Sequence, residues 1–321
     1  MAILVTGANG FVGSRLVPAL LKSGMKVRSF ILPGTRSTGL SGSEVVSGEM
    51  DEASLIPALA GIDLVINLAG NMIGSRKERY LSANVRSVEN LMKAISNLNE
   101  APRVLHVSSV SAMGPAFDGK ALAENANCSP VCLYGRTKLL GERILSKYHE
   151  RIRMNLIRPC SLYGPGDKCF LGVFKFAGMG KFFRFCTRDK LFNLLYIDDF
   201  IAILLFLIQK PPDYLPLNVG NPEVITANAL KDELTRVTGV SSRSFFFPPG
   251  AGRLLGRLYD LAETITGEGD IMSSNKIMEL SHSTWLQDFS KLQGILPNIK
   301  FTPFREGVSK TWNWYHENGW V

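Results

Sequence analysis

The stretch "ILVTGANGFVGSRL", residues 3–16, runs an apolar segment into three glycines, Gly7, Gly10 and Gly13, and resumes with helical spacing. That order predicts a strand, a tight turn and a helix. Gly7 permits the turn, Gly10 lets backbone approach an anion, and Gly13 lets helix and strand pack closely, with the helix N-terminus offering amides to a phosphate. The spacing is Gly-x-x-Gly-x-x-Gly, not the Gly-x-Gly-x-x-Gly of the dinucleotide fingerprint, so this turn alone leaves a plain loop open.

The rest of the first half repeats the pattern. Short apolar runs, "AILVTG", "KVRSFIL", "EVVSG", "DLVINLAG", "RVLHVSS" and "RMNLIRP", alternate with helical stretches over 12–23, 53–60, 80–97 and 134–148. In the third of these, Val85, Val88, Leu91, Met92 and Ile95 form one apolar face. Such alternation predicts an α/β fold, a Rossmann-type doubly wound parallel sheet covered on both faces. After Pro159 the rhythm breaks into a Gly-, Phe- and Lys-rich segment, resumes near "NLLYIDDFIAILLFLIQK", and ends in a mostly helical C-terminal part that includes a helix from Arg253 to Thr266. The expected division is 1–159 with 193–221 for the sheet domain, and 160–192 with 222–321 for a smaller substrate-binding domain.

With 45% apolar and 20% charged residues among 321, the chain has the composition of a globular protein and enough length for two units. The net charge of +8 is scattered rather than blocked, which points away from nucleic acid and toward an anionic cofactor or small-molecule substrate. The apolar window "FIAILLFLIQK" is too short for a membrane span and is expected to be a core helix. Met1 and Ala2 lead straight into the first strand, and five cysteines (Cys128, Cys132, Cys160, Cys169, Cys186) include no CxxC pair. No metal site is expected, and the thiols fit a reducing cytoplasm.

Two further patterns bear on chemistry. The end of the second strand, "SFILPGTR" (29–36), has no acid to bind ribose hydroxyls and is flanked by Arg28 and Arg36, so a 2′-phosphate fits at least as well and NADP is favoured over NAD. The helix beginning "YGRTKLLGE" places Tyr134 and Lys138 four residues apart on one face. A tyrosine of pKa ~10 becomes a usable acid or base when a cation favours its ionised form. A second donor for the same substrate oxygen is available at the end of the fifth strand, where "VSSVSAMG" offers Ser108, Ser109 and Ser111.

Taken together, "TGANGFVG", "NLAG" (67–70), Asn84 in "SANVRSVENLM", "VSSVSAMG", "YGRTK", "RPCSLYGPGD" and "YIDD" make the chain resemble the extended short-chain dehydrogenase/reductases, the NAD-dependent epimerase/dehydratase family. The resemblance implies catalytic roles for Ser109, Tyr134 and Lys138. It implies a pyrophosphate site at Gly7, Asn9, Gly10, Phe11, Val12 and Gly13, and an adenosine side at Leu68, Ala69 and Gly70. Arg36, Asn84, Val107, Tyr134, Lys138, Pro159 and Ser161 complete the expected cofactor contacts. A homodimer through packed helices is also implied.

Two features depart from the relatives that act on nucleotide sugars. Phe192 stands in "LFNLLYIDD" where an arginine often grips the diphosphate, leaving Arg184 or Arg188 as substitutes, and "KCFLGVFKFAGMGKFFRF" (168–185) is rich in phenylalanine. These phenylalanines read either as an apolar substrate lining or as the small domain's core. The leading expectation is an NAD(P)-dependent oxidoreductase acting on a carbonyl or secondary alcohol. A nucleotide-sugar epimerase or dehydratase is the alternative enzyme, and a non-catalytic NAD(P) sensor or assembly subunit is the alternative of another class.

Overall fold

The computed structural model describes residues 1–186, 189–212, 216–267 and 269–321. Seven parallel strands, β1 (Ala2–Thr6), β2 (Lys26–Ile31), β3 (Glu44–Ser47), β4 (Leu64–Asn67), β5 (Arg103–Val107), β6 (Met154–Pro159) and β7 (Pro216–Val219), form one sheet. Their order is β7-β6-β5-β4-β1-β2-β3. The chain winds outward from β1 to β3 and then crosses to β4, so the direction reverses between β1 and β4. Ligands of doubly wound sheets sit outside the strand C-termini at this switch point.

The period-two alternation within β1 explains its place at the centre. Ile3 and Val5 enter one core with Leu16, Val17 and Leu20 of α1 (Gly13–Lys22), while Leu4 enters the opposite core with Leu55 of α2 (Glu52–Ala58). The predicted 80–97 helix is a composite of α3 (Lys77–Leu81), a π-helical turn (Ser82–Arg86) and α4 (Ser87–Ser96). Val88, Leu91, Met92 and Ile95 of α4 lie on the sheet as the apolar spacing predicts. Next come α5 (Leu133–Leu145), α6 (Leu171–Gly178) and α7 (Ile197–Gln209). The last buries Phe200, Ile203, Leu204 and Leu207 against α1, and among the described residues no helix is long and apolar enough to cross a membrane.

The C-terminal part adds α8 (Ala227–Thr238), α9 (Pro249–Thr266), α10 (Ser274–Leu280), α11 (Ser290–Ile295) and α12 (Phe304–Glu317). A third core joins Phe174, Phe182, Phe192, Leu230, Leu234, Trp285, Val308 and Tyr315. Many of the phenylalanines of 168–185 pack within the chain: Phe183 meets Phe176, Phe245 and Phe247, and Phe185 stacks on Phe247. Trp320 stacks on Tyr315 of its own chain, ring centroids 5.7 Å apart.

Candidate functional site

The glycine turn closes as its residue types require. Gly7 has φ +64°, and a Cβ there would lie 3.0 Å from the Ala69 nitrogen and 3.1 Å from the Leu68 carbonyl carbon. Gly13 is tighter still, with 2.5 Å from a would-be Cβ to both the Gly7 and Ala8 carbonyl oxygens. The Gly10 N–H donates to the Gly7 carbonyl at 3.0 Å, and α1 begins at Gly13 with no side chain capping its first-turn amides. The first-turn amides of Ser14, Arg15 and Leu16 already donate to the Gly10 and Val12 carbonyls, so a phosphate would be met by the stripped glycine backbone of the turn and the positive end of α1.

The neighbouring end of β4 is held from beneath. Ala69 N–H donates to Thr6 Oγ1 (3.3 Å), Thr6 donates to Asn67 Oδ1 (2.6 Å), and Asn67 Nδ2 donates to His106 Nδ1 (2.9 Å). Donor order along this chain makes His106 an acceptor at Nδ1. Burial, reinforced by the charge of Lys138, holds its imidazole well below the ordinary value. Three adjacent strands are thus pinned together under Leu68, Ala69 and Gly70.

Asn84 lies on the π-helical turn, a distortion that often marks functional positions. Its Oδ1 accepts from Asn71 N–H (2.8 Å), and its Nδ2 donates to the Asn71 carbonyl (2.9 Å) and Thr137 Oγ1 (3.0 Å). Glycine at 141 lets α5 approach this turn, since a Cβ would sit 2.7 Å from the Asn84 carbonyl oxygen. Gly135 allows a still closer approach to the Ser111 carbonyl. Backbone contact at both points aims Tyr134 and Lys138 at the strand ends.

Tyr134 lies beside Ser109, and burial pushes its phenol up to about 12 against the lowering effect of that neighbour. Lys138 Nζ donates to the Val107 carbonyl at 2.7 Å, and burial pulls its ammonium down to about 8. Ser109 is extended, and its Oγ accepts the Ser111 N–H (3.1 Å). The adjacent Ser108 points away from the cleft, donating to Glu142 Oε1 (2.5 Å), which with Oε2 takes a two-pronged bond from buried Arg158 (3.0 and 2.7 Å).

Of the remaining predicted residues, Pro159 ends β6 beside Val219, and Ser161 opens a short exposed-edged strand, Ser161–Tyr163. Arg36 is exposed in the loop after β2, with its carbonyl accepting from Asn9 Nδ2 (3.0 Å). Arg28 does not join it. Its guanidinium is taken by Glu44 (2.8 Å) and the Ala58 and Ala60 carbonyls, on the far side of β2's C-terminal end. Phe192 is buried in the third core, and Arg184 pairs with Asp189 (3.6 Å) and Asn228 (3.5 Å). Arg188 lies outside the described residues.

Sequence reasoning missed the far wall of the cleft. Met72, Tyr80, Cys132, Asn275, Lys276 and Glu279 line a small cavity with Tyr134. Asn275 Oδ1 accepts the Leu133 N–H (3.0 Å), tying α10 to the start of α5. Lys276 pairs with Glu279 at 3.1 Å; burial alone lowers its ammonium, but the Glu279 charge outweighs this and the net direction is up. Asn275, Lys276 and Glu279 lie about 140 positions from Tyr134 in the chain and carry no local signal beyond the i,i+3 spacing of Lys276 and Glu279.

A family model described as the NAD dependent epimerase/dehydratase family matches residues 3–220. A ceramide reductase of Caulobacter vibrioides is 24% identical over 99% of this chain and 96% of its own length. The N-acetyl-α-D-glucosaminyl-diphospho-ditrans,octacis-undecaprenol 4-epimerase of Escherichia coli O157:H7 is 23% identical over 88% of this chain and 86% of its own. Among solved structures, UDP-glucuronic acid 4-epimerase of Bacillus cereus, in complex with UDP-glucuronic acid and NAD, superposes with a TM-score of 0.79 at 22% identity, covering 99% of this chain and 100% of that one.

Proposed function

We propose, from the premise that the chain belongs to the NAD-dependent epimerase/dehydratase family, that it is an NAD(P)-dependent oxidoreductase that reduces a carbonyl on a largely apolar substrate. The observation that carries this reading is Tyr134, half-buried beside Ser109 in the cavity that α10 lines, with Lys138 one helical turn on. A phenol that keeps its proton at neutral pH is a donor in waiting.

Gly7, Asn9, Gly10, Phe11, Val12 and Gly13 would hold the pyrophosphate of the dinucleotide, and Leu68, Ala69 and Gly70 its adenosine side. The stripped backbone at Gly7, Gly10 and Gly13 fits such a group. Arg36, exposed beside Asn9, would meet a 2′-phosphate, which favours NADP. Asn84, Val107, Lys138, Pro159 and Ser161 would border the nicotinamide and its ribose. When bound, the reduced nicotinamide supplies a hydride from C4.

Ser109 Oγ and the Tyr134 phenol would both donate to the substrate carbonyl oxygen. Tyr134 would give its proton to that oxygen as the carbonyl is reduced, and its phenolate would be reprotonated from solvent. Lys138 lowers the cost of that phenolate by its charge. Asn84 fixes the backbone at Asn71, and residues 160–192 with 222–321 form the substrate-binding unit.

An apolar substrate is supported by Phe192, buried where a clamp for a diphosphate would stand, and by the engagement of Arg184 with Asp189 and Asn228. The near full-length likeness to a ceramide reductase points the same way. The second reading, a nucleotide-sugar epimerase, is favoured by relatives and solved structures named for that activity. Thermal-shift titration separates the two. Millimolar UDP, GDP and TDP are expected to leave Tm unmoved while NADP raises it, and stabilisation by any of the three nucleoside diphosphates overturns the apolar assignment.

A further inference from the structure

Helix α9 is amphipathic the wrong way round. The face turned to the protein carries Gly252, Gly256 and Glu263, all buried, with Tyr259 partly so. Gly256 brings α10 into backbone contact, a would-be Cβ lying 2.7 Å from Ser274 Cα. Glu263 is tied by its carboxylate to the Ser75 N–H (2.5 Å), Ser75 Oγ (2.7 Å) and Arg79 (3.2 Å). Its opposite face presents Leu254, Leu258, Leu261 and Ile265, exposed by 61%, 55%, 56% and 78%. Their 4-3-4 spacing makes one stripe about 16 Å long.

A lone exposed leucine needs no explanation, but four in line on a helix whose polar glutamate is buried do. Charge indicates what covers them. Arg253 and Arg257 flank the stripe, and among the helix's exposed described positions there is no carboxylate. The strand leading into the helix, Arg243–Phe246, is exposed along its length and adds Arg243, Phe245 and Phe246. Two copies of α9 laid together would offer these arginines no acid on the opposing exposed face. An anionic lipid surface offers both an apolar layer for the leucines and phosphates for the arginines.

We infer that α9 docks on the surface of an anionic bilayer, lying in its plane with Leu254, Leu258, Leu261 and Ile265 in the acyl boundary. The next element, α10, packs on the inward face of α9 and supplies the Asn275, Lys276 and Glu279 wall of the Tyr134 cleft. The inference rests on α9 and the strand before it and stands apart from the proposed reaction.

Co-sedimentation of the full chain with vesicles tests it. Phosphatidylcholine with added phosphatidylglycerol should retain the protein at low salt, and phosphatidylcholine alone should retain little. Replacing Leu258→Gln together with Leu261→Gln should lower partitioning at least about tenfold, with Tm and NADP binding unchanged because both side chains are already in water. Each of Arg253→Gln and Arg257→Gln should lower it about fivefold, and added salt should mimic them. Equal binding to neutral vesicles, no binding to either, or a leucine variant that turns a dimer into a monomer without altering vesicle binding overturns the inference; the last would make the stripe a seam between copies.

Discussion

Replacing Lys138→Met should stabilise the ligand-free protein while disabling it. The ammonium is buried and its ordinary value of 10.5 is pulled down to about 8 by burial, a burial cost of about 3 kcal/mol carried at neutral pH. Methionine fills similar space without the charge, but it leaves the Val107 carbonyl without its 2.7 Å donor, which costs about 1–2 kcal/mol. The net gain is about 1–2 kcal/mol, or about 2–4 °C in Tm for each kcal/mol in a domain of this size.

The pH dependence of that gain carries the argument. At about pH 7 the native and unfolded states both hold the lysine proton, so the cost is present in full. Between about 8 and 10.5 the native state releases it first and the unfolded state binds more protons, so wild-type stability rises with pH by up to about 1.4 kcal/mol per pH unit. The variant has no such group, and its advantage should shrink across that window. Lys190, likewise pulled down to about 8 by burial, is common to both proteins and cancels in the difference. Thermal melts of the two ligand-free proteins, followed by circular dichroism at about pH 7 and about pH 9.5, make the comparison. An advantage that is constant or grows with pH, or a variant several degrees less stable at neutral pH, refutes the reasoning.

Other substitutions test separate parts of the account. Gly13→Ala forces a methyl to within 2.5 Å of two carbonyl oxygens and should cost about 1–3 kcal/mol and most dinucleotide affinity, read by denaturant melts and cofactor fluorescence. Glu142→Gln removes the carboxylate from Arg158, where both side chains are 5% exposed; the stranded guanidinium should cost about 3–5 kcal/mol by urea denaturation. Arg36→Ala should weaken NADP at least about tenfold, the loss of one charge-assisted contact, while leaving NAD affinity unchanged by calorimetry.

The first half of the fold could be read because its determinants are local. Alternating Ile3, Leu4 and Val5 announce a strand buried on both faces, and Gly13 announces a helix start that tolerates no side chain. Tyr134 and Lys138 share a helical face for the same reason, since four residues make about one turn, whereas Asn84 was named only through the family resemblance. The far wall of the cleft was not legible, because Asn275, Lys276 and Glu279 reach Tyr134 only through tertiary packing of α10 on α5. Arg28 misled because proximity in sequence to the second strand's end does not fix which side of the strand a side chain takes; Glu44 and two carbonyls claim it. The phenylalanines of 168–185 were ambiguous because core and pocket lining use the same residue type, and only the ring contacts separate them.

The central claim is that Tyr134 gives its proton to a substrate oxygen as a carbon beside it gains hydride. The most direct measurement follows a long-chain ketone with C4-deuterated NADPH, using wild type and Tyr134→Phe, with cofactor binding measured in parallel. The account predicts deuterium in the product alcohol, continuous turnover by the wild type, and a loss of about 10²–10⁴-fold in the variant at unchanged cofactor affinity. Undiminished turnover by Tyr134→Phe, or alcohol without deuterium, contradicts it.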